Sequence, residues 1–258
     1  MSKKRRSVSG SQKTKSQSDP DVPDQNTENI INDVVRYIIL KADENSFYTR
    51  SELNQNVIHK KGQCVDSVIQ QAIKVLENVY GYTLTEYDDV KMKKKIYFLI
   101  SMLPSVNYSD EEEECVSSYE TGSNVPNAAH KILTLLILSH IFMTNAPVSD
   151  KSLYSFLKSL DIDVEVEHPF FGKVKEYIRE TLIKNYYLHC EFDEKTKIQT
   201  FQWGIRAEIE ISKMKVLQFV CEMYGNKQPK DWPEHYGAAE NQFKEREELK
   251  EETRDESS

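Results

Sequence analysis

One order of elements is written twice along this chain, and it limits the fold more than any single motif does. In the first half, Ile30, Ile31, Val34, Val35 and Ile38 line one face of a helix over Asn29–Lys41. A second, short helix starts at Thr49, whose hydroxyl can cap it together with Glu52 three residues on. Val65, Val68, Ile69, Ala72, Leu76 and Val79 recur at helical steps and stop before Gly81. The segments YTLTEY and KIYFLIS then read as a hairpin around a polar turn. The same order returns in the second half. Asn127–Asn145 is apolar almost all round, which predicts a deeply buried helix. Ser149 can cap the next helix, which runs through about Leu160, and Lys173–Tyr186 forms a third. YYLHCEF and IQTFQWG pair as a hairpin closed at Asp193–Lys197.

Three helices followed by a two-stranded wing make a winged-helix module, a helix-turn-helix variant. The expected fold class is therefore mainly α with small β-hairpins, as two tandem winged-helix domains. Charge marks the boundaries. Residues 1–28 are a polar tail with six basic against four acidic residues, and read as disordered. Residues 29–104 form the first module. Residues 105–124 carry only acidic charge and read as a linker. Residues 125–236 form the second module, and 237–258, with eight acidic against four basic residues, a charged acidic tail. The net charge of −8 thus resides in linker and tail, and leaves room for local basic patches in the modules.

Residues 201–232 are the most distinctive stretch. An aromatic strand ends at Gly204 and feeds one long amphipathic helix, expected to begin near Ala207 and to make no use of Ser212 as a cap. Met214, Leu217, Val220, Cys221 and Tyr224 form its stripe, and Gly225 is its expected stop, with Pro229 shortly beyond. Trp203 and Trp232, which flank the helix, read most simply as core anchors. The run FQWG, SKMKVLQFV, PKDWPEHY resembles the signature end of the MAGE homology domain. VVRYIILKAD, VYGYTLTE, LLILSHIFMTNAPVSDKSLYSFLKSLDI and HPFFGKVKEYI are similar to further parts of that domain, in the same order. The resemblance covers roughly residues 29–236 and is most specific in the second module.

What the resemblance implies is a non-catalytic protein- and DNA-binding scaffold. One branch of the family sits in the SMC-five/six chromosome-maintenance complex, in contact with a RING-type ubiquitin ligase (non-SMC element 1) and a kleisin (non-SMC element 4). By that likeness, SMC proteins come within reach through the complex. The motifs alone leave three alternatives open: that role, a winged-helix transcription regulator, and a MAGE adaptor for another RING ligase. The chemistry of the chain points away from catalysis. Its eight glycines are scattered singly, it has no HExxH, GxSxG or CxxC pattern, and its six histidines never lie three or four apart. No cofactor or metal is expected. The four cysteines, Cys64, Cys115, Cys190 and Cys221, have no paired spacing, which fits a reducing compartment. Ile132–Met143, the most apolar run, is about half a membrane span, so no membrane association is expected. The KKRR run at Lys3–Arg6 fits nuclear import, with a solvated tail as the plain alternative. Ser109, ahead of four glutamates, fits an acidophilic phosphorylation site, though a solubilising spacer is the plainer account.

Three surfaces follow. By resemblance, Ile38 and Ile39 occupy the place where paired aliphatics of the family dock the RING subunit, and docking is expected through Ile38, Ile39 and Leu40. The kleisin is placed by the same likeness in an apolar groove of the second module, around Leu135, Leu217 and Val220. Double-stranded DNA is expected on the third helix and wing of that module, through Lys173, Lys175, Arg179, Lys184, Lys195 and Lys197. Glu176 and Glu180 blunt that field, so binding would be led by phosphates with little base reading. Lys91, Lys93, Lys94 and Lys95 in the first wing offer an alternative patch, or simply a solvated turn.

Overall fold

The structure is a computed structural model that describes residues 25–42, 47–58, 64–89, 93–103, 127–225 and 227–255. The expectations on Lys3–Arg6, on Ser109 and on the acidic linker lie outside those residues, as does Lys91.

Helix α1 (Gln25–Lys41) turns its aliphatic stripe onto α3 (Val65–Val75), which continues as a π-helical turn over Leu76–Tyr80. Ile30, Ile31, Val34, Val35 and Ile38 from one helix meet Val68, Ile69, Ala72 and Leu76 from the other in a single buried cluster. Each of the valine, isoleucine and leucine side chains contributes about 1.5–3 kcal/mol by leaving water. Between them, α2 (Arg50–Leu53) opens with the expected reciprocal cap: the Glu52 N–H donates to Thr49 Oγ1 at 3.1 Å, and the Thr49 N–H to the Glu52 carboxylate at 3.4 Å. Strands β2 (Tyr82–Asp89) and β3 (Lys94–Ser101) form the hairpin, with Tyr82 opposite Ser101 and Asp89 opposite Lys94. A two-residue strand β1 (Tyr48–Thr49), too short to leave a periodic signal, pairs with the other edge of β3, giving the order β1-β3-β2.

The second module repeats the plan. Its elements are α4 (Asn127–Thr144), β4 (Val148–Ser149), α5 (Asp150–Ser159), and α6 (Val174–Glu176), which widens into a π-helical stretch over Tyr177–Ile183. The wing is β5 (Leu188–Asp193) with β6 (Ile198–Trp203), and β4 completes a sheet of order β4-β6-β5. Ser149 caps α5, accepting from the Ser152 N–H at 3.2 Å. Leu133, Ile137, Leu153, Leu157, Ile178 and Phe201 anchor the core, so both modules are winged helices.

The chain after Gly204 departs from expectation. Instead of one long helix there are two, α7 (Ile205–Glu210) and α8 (Lys213–Met223), separated by extended Ile211 and Ser212. Ser212 does act as a cap: its Oγ accepts from the Lys215 N–H at 3.3 Å. The sequence shows that Ile205, Ala207, Ile209 and Ile211 alternate with Arg206, Glu208 and Glu210 at period two, so these residues do not extend the helical stripe that starts at Met214. Helix α8 does stop where expected, with Gly225 in the left-handed region at φ 81°.

The boundary set at Gly237 also moves. Helix α9 (Pro233–Asp255) runs straight through it, with Ala239 and Gln242 buried. The Gln242 amide donates to the carbonyls of Glu208 (3.1 Å) and Ile211 (3.2 Å), and its oxygen accepts from the Lys213 N–H at 2.8 Å. Arg246 donates to the same two carbonyls. These side chains satisfy the backbone groups that the α7–α8 break leaves open. A charged composition hid the packing because the buried positions are small or amide residues rather than aliphatics. Gly204 is fixed by a close approach: a Cβ there would stand 2.1 Å from the Tyr186 carbonyl oxygen.

Candidate interaction surfaces

The end of α1 shows one of its three expected docking residues to solvent. Ile38 is fully buried, and its carbonyl accepts from the Tyr48 hydroxyl at 2.7 Å. It is a core residue, which corrects the expectation that it meets a partner. Ile39 packs against the margin of the same core, and Leu40 is 69% exposed. The reason is rotational: at about 100° per residue, Ile38 falls in the stripe of Val34 and Val35 while Leu40 lies nearly opposite. Tyr37 ties this end of α1 to α2, donating to Glu52 at 2.9 Å and accepting from Asn56 at 2.9 Å. Burial and the carboxylate together raise the pKa of its hydroxyl.

In the second module, Leu217 is fully buried and Val220 is 8% exposed. Leu217 joins Phe142, Val216 and Cys221 in a small core that Leu135, Trp203, Trp232, Tyr236 and Ala238 close over. The open groove expected around Leu135, Leu217 and Val220 is thus filled by the chain's own α9 and the residue before it, Trp232. Only Leu135 of the three keeps part of its side chain at the surface. Ile132, one turn before it on α4, is 54% exposed. Both tryptophans pack here as expected. The Trp203 indole donates to the Leu138 carbonyl at 2.9 Å, whereas the buried Trp232 Nε1 meets no acceptor among the described residues.

The six basic residues expected on DNA are spread over α6 and the wing. Lys173 precedes the first turn of α6, and Lys184 follows the π-helical stretch that extends it. Lys175 and Arg179, four apart, border one shallow depression together with Lys173 and with Glu165, Glu167 and Glu176. Three of the cations are already paired: Lys175 with Glu165 at 2.5 Å, Lys173 with Glu176 at 3.4 Å, and Lys184 with Glu180. Arg179 is exposed and enters none of the described ion pairs. In the wing turn the Asp193 carboxylate accepts from the Lys195 N–H at 2.9 Å and from the Thr196 hydroxyl, which holds its pKa below the usual carboxylate value. Lys197 rests its ammonium over the Phe192 ring at 5.7 Å. Glu165, the partner of Lys175, and Glu167, which borders the same depression, come from the loop before α6, where helix periodicity could not reveal them. Val166 and Phe170 of the same loop are 64% and 70% exposed.

Among the described residues no group of histidine, cysteine, aspartate and glutamate could hold a metal ion, and no helix is long and apolar enough to cross a membrane. His140 stacks on Phe156 with ring centres 4.1 Å apart, and burial pushes its pKa down, as for a neutral packing residue.

A family model described as the MAGE homology domain matches residues 34–214. The human non-structural maintenance of chromosomes element 3 homolog is 28% identical over 208 residues, which is 80% of this chain and 64% of that protein. Human MAGE-like protein 2 is 30% identical over 212 residues, 80% of this chain and 15% of its own length. This chain therefore spans under two thirds of either relative. Among solved structures, a chain of an Nse1-Nse3-Nse4 complex is 28% identical, with a TM-score of 0.69 over 85% of this chain and 100% of that one.

Proposed function

The chain belongs to the MAGE homology domain family, and we propose that it is a non-catalytic scaffold subunit of the SMC-five/six chromosome-maintenance and DNA-repair complex. In this reading it binds a RING-type ubiquitin ligase subunit and a kleisin, regulates the ligase, contributes DNA binding and acts in the nucleus. The observation that carries the reading is that the fold matches the whole of a chain in a solved Nse1-Nse3-Nse4 complex, together with similarity to an element 3 homolog along most of this chain. The ligase docks on the first module at Ile39 and Leu40, over the core that Ile38 helps to form. The kleisin runs along α4 around Leu135 and the neighbouring Ile132, above Leu217 and Val220. DNA meets α6 and the wing through Lys173, Lys175, Arg179, Lys184, Lys195 and Lys197.

A second reading, a MAGE adaptor for a different RING ligase, is favoured by one observation: the similarity to MAGE-like protein 2 is as high as that to the element 3 homolog. Affinity purification of the tagged chain followed by identification of bound subunits separates the two. Recovery of SMC proteins and a kleisin supports the first, and recovery of an unrelated RING ligase without them replaces it. A transcription regulator would need a stronger basic face than the paired cations of α6 provide.

A further inference from the structure

The face on which the two modules meet is built around one tyrosine in an uncommon conformation. Strand β3 alternates its side chains, and Tyr97 and Leu99 point into the first module's own core. Ile96 and Phe98 point the other way, yet they are 1% and 0% exposed and stand outside that core cluster. Phe47 of the same module meets Phe98 edge-on at 6.4 Å, and the rest of its cover comes from the second module. The Tyr186 ring lies 5.7 Å from Phe98, 5.3 Å from Phe47 and 6.4 Å from Tyr87, all in edge-on geometry. Its hydroxyl donates to the Asp89 carboxylate at 2.9 Å, and Arg206 lays its guanidinium over Phe98 at 5.8 Å.

Tyr186 makes these contacts from the left-handed region, at φ 63°. It follows α6 in the position where a helix usually ends on glycine: the Tyr187 N–H reaches the Leu182 carbonyl at 2.9 Å, and the Tyr186 N–H the Ile183 carbonyl at 3.1 Å. A bulky aromatic side chain is strained there and persists only where the surroundings hold it. The holding is visible on both sides. Its carbonyl accepts from the Arg206 N–H at 3.0 Å, Gly204 lets the chain pass close behind, and its ring is clasped by the first module. Tyr186 nevertheless belongs to neither module's core cluster, so removing the ring opens no core.

We propose that Tyr186 is a strained key that locks the two winged-helix modules in one relative arrangement and can be withdrawn without unfolding either. Withdrawal exchanges the aromatic and Asp89 contacts for hydration of that face, while the backbone bonds that Tyr186 makes within the second module stay in place. The arrangement of ligase-side and DNA-side modules is thereby poised for change at a single residue.

The test compares amide ¹⁵N relaxation of the full chain with two variants, Tyr186→Gly and Phe47→Ala. Glycine suits the backbone at 186, so that variant keeps the fold of the second module while losing the key. Phe47→Ala removes a contact from the opposite side and leaves the strained residue untouched. The unmodified chain is expected to tumble with one correlation time for both modules. Each variant should lose that common tumbling, with shorter and separate times, while amides remote from the interface keep their shifts. Common tumbling in both variants would overturn the proposal, and so would separate tumbling already in the unmodified chain. If Tyr186→Gly fails to fold, removal of the ring is not separable from folding, and the proposal falls on that result too. No partner is needed for these measurements, so their outcome does not depend on the proposed complex.

Discussion

At the scale of single residues, neighbouring positions on one turn of helix have opposite fates. Ile38 and Leu40 are both aliphatic, but one is fully buried and the other 69% exposed. Ile38→Ala is expected to cost about 2–5 kcal/mol in chemical denaturation, as for a core truncation. Leu40→Asp should change stability by no more than about 0.5 kcal/mol and yet abolish capture of the RING subunit; full capture by the folded variant would move the docking site elsewhere. Gly204→Ala places a Cβ 2.1 Å from a backbone oxygen and should destabilise by about 3 kcal/mol. Tyr186 offers a test in alkali. Burial, reinforced by the Asp89 carboxylate, pushes its pKa from 10.0 up to about 12. The folded state therefore holds the neutral phenol more firmly than the unfolded chain does. Its contribution is complete below pH 10 and is lost as pH rises through about 12. Tyr186→Phe should remove that part of the alkaline destabilisation, read as a flatter fall in melting temperature over this range.

Individual elements show how far periodicity can be trusted. The caps at Thr49 and Ser149 lay open in the sequence because a cap is a local bond between residues three apart. The period-two run over 205–211 was equally open, but it falls on helix α7 and does not itself place the break at Ile211 and Ser212. On α6 and its extension the spacing of Lys175 and Arg179 was legible, and so were the blunting Glu176 and Glu180, but Glu165 and Glu167 were not, since they come from a preceding loop. This difference matters for DNA. Removing Lys175 and Arg179 together should weaken binding to unrelated duplexes equally. It should also flatten the slope of log affinity against log salt by roughly 0.9 for each phosphate no longer neutralised. Glu165→Gln should do the reverse by releasing Lys175 from its partner. Fluorescence anisotropy across a salt series measures both, and a sharp preference for one duplex sequence would instead favour the transcription-regulator reading.

For the whole molecule, the order helix, helix, helix, wing, written twice, determined the two winged-helix modules, because each module's stripes, caps and hairpin register arise from residues close in the chain. Sequence also carried the family through FQWG, SKMKVLQFV and PKDWPEHY, and it excluded the usual catalytic motifs. The continuous apolar run of β3 held a further hint that was legible but unassigned: a strand buried on both faces needs a second cover. Which element supplies that cover could be decided only by tertiary structure. The contact joins Asp89 to Tyr186 across 97 residues, and Phe47 to it from farther still, and no local periodicity encodes such a pairing. The same holds for α9, whose Gln242 and Arg246 are ordinary surface residues by composition and become structural by meeting the open carbonyls of Glu208 and Ile211. Local bonds write the modules; burial of a second face and of unpaired backbone groups, both set by distant residues, decides how the modules are joined and where the chain's packed part ends.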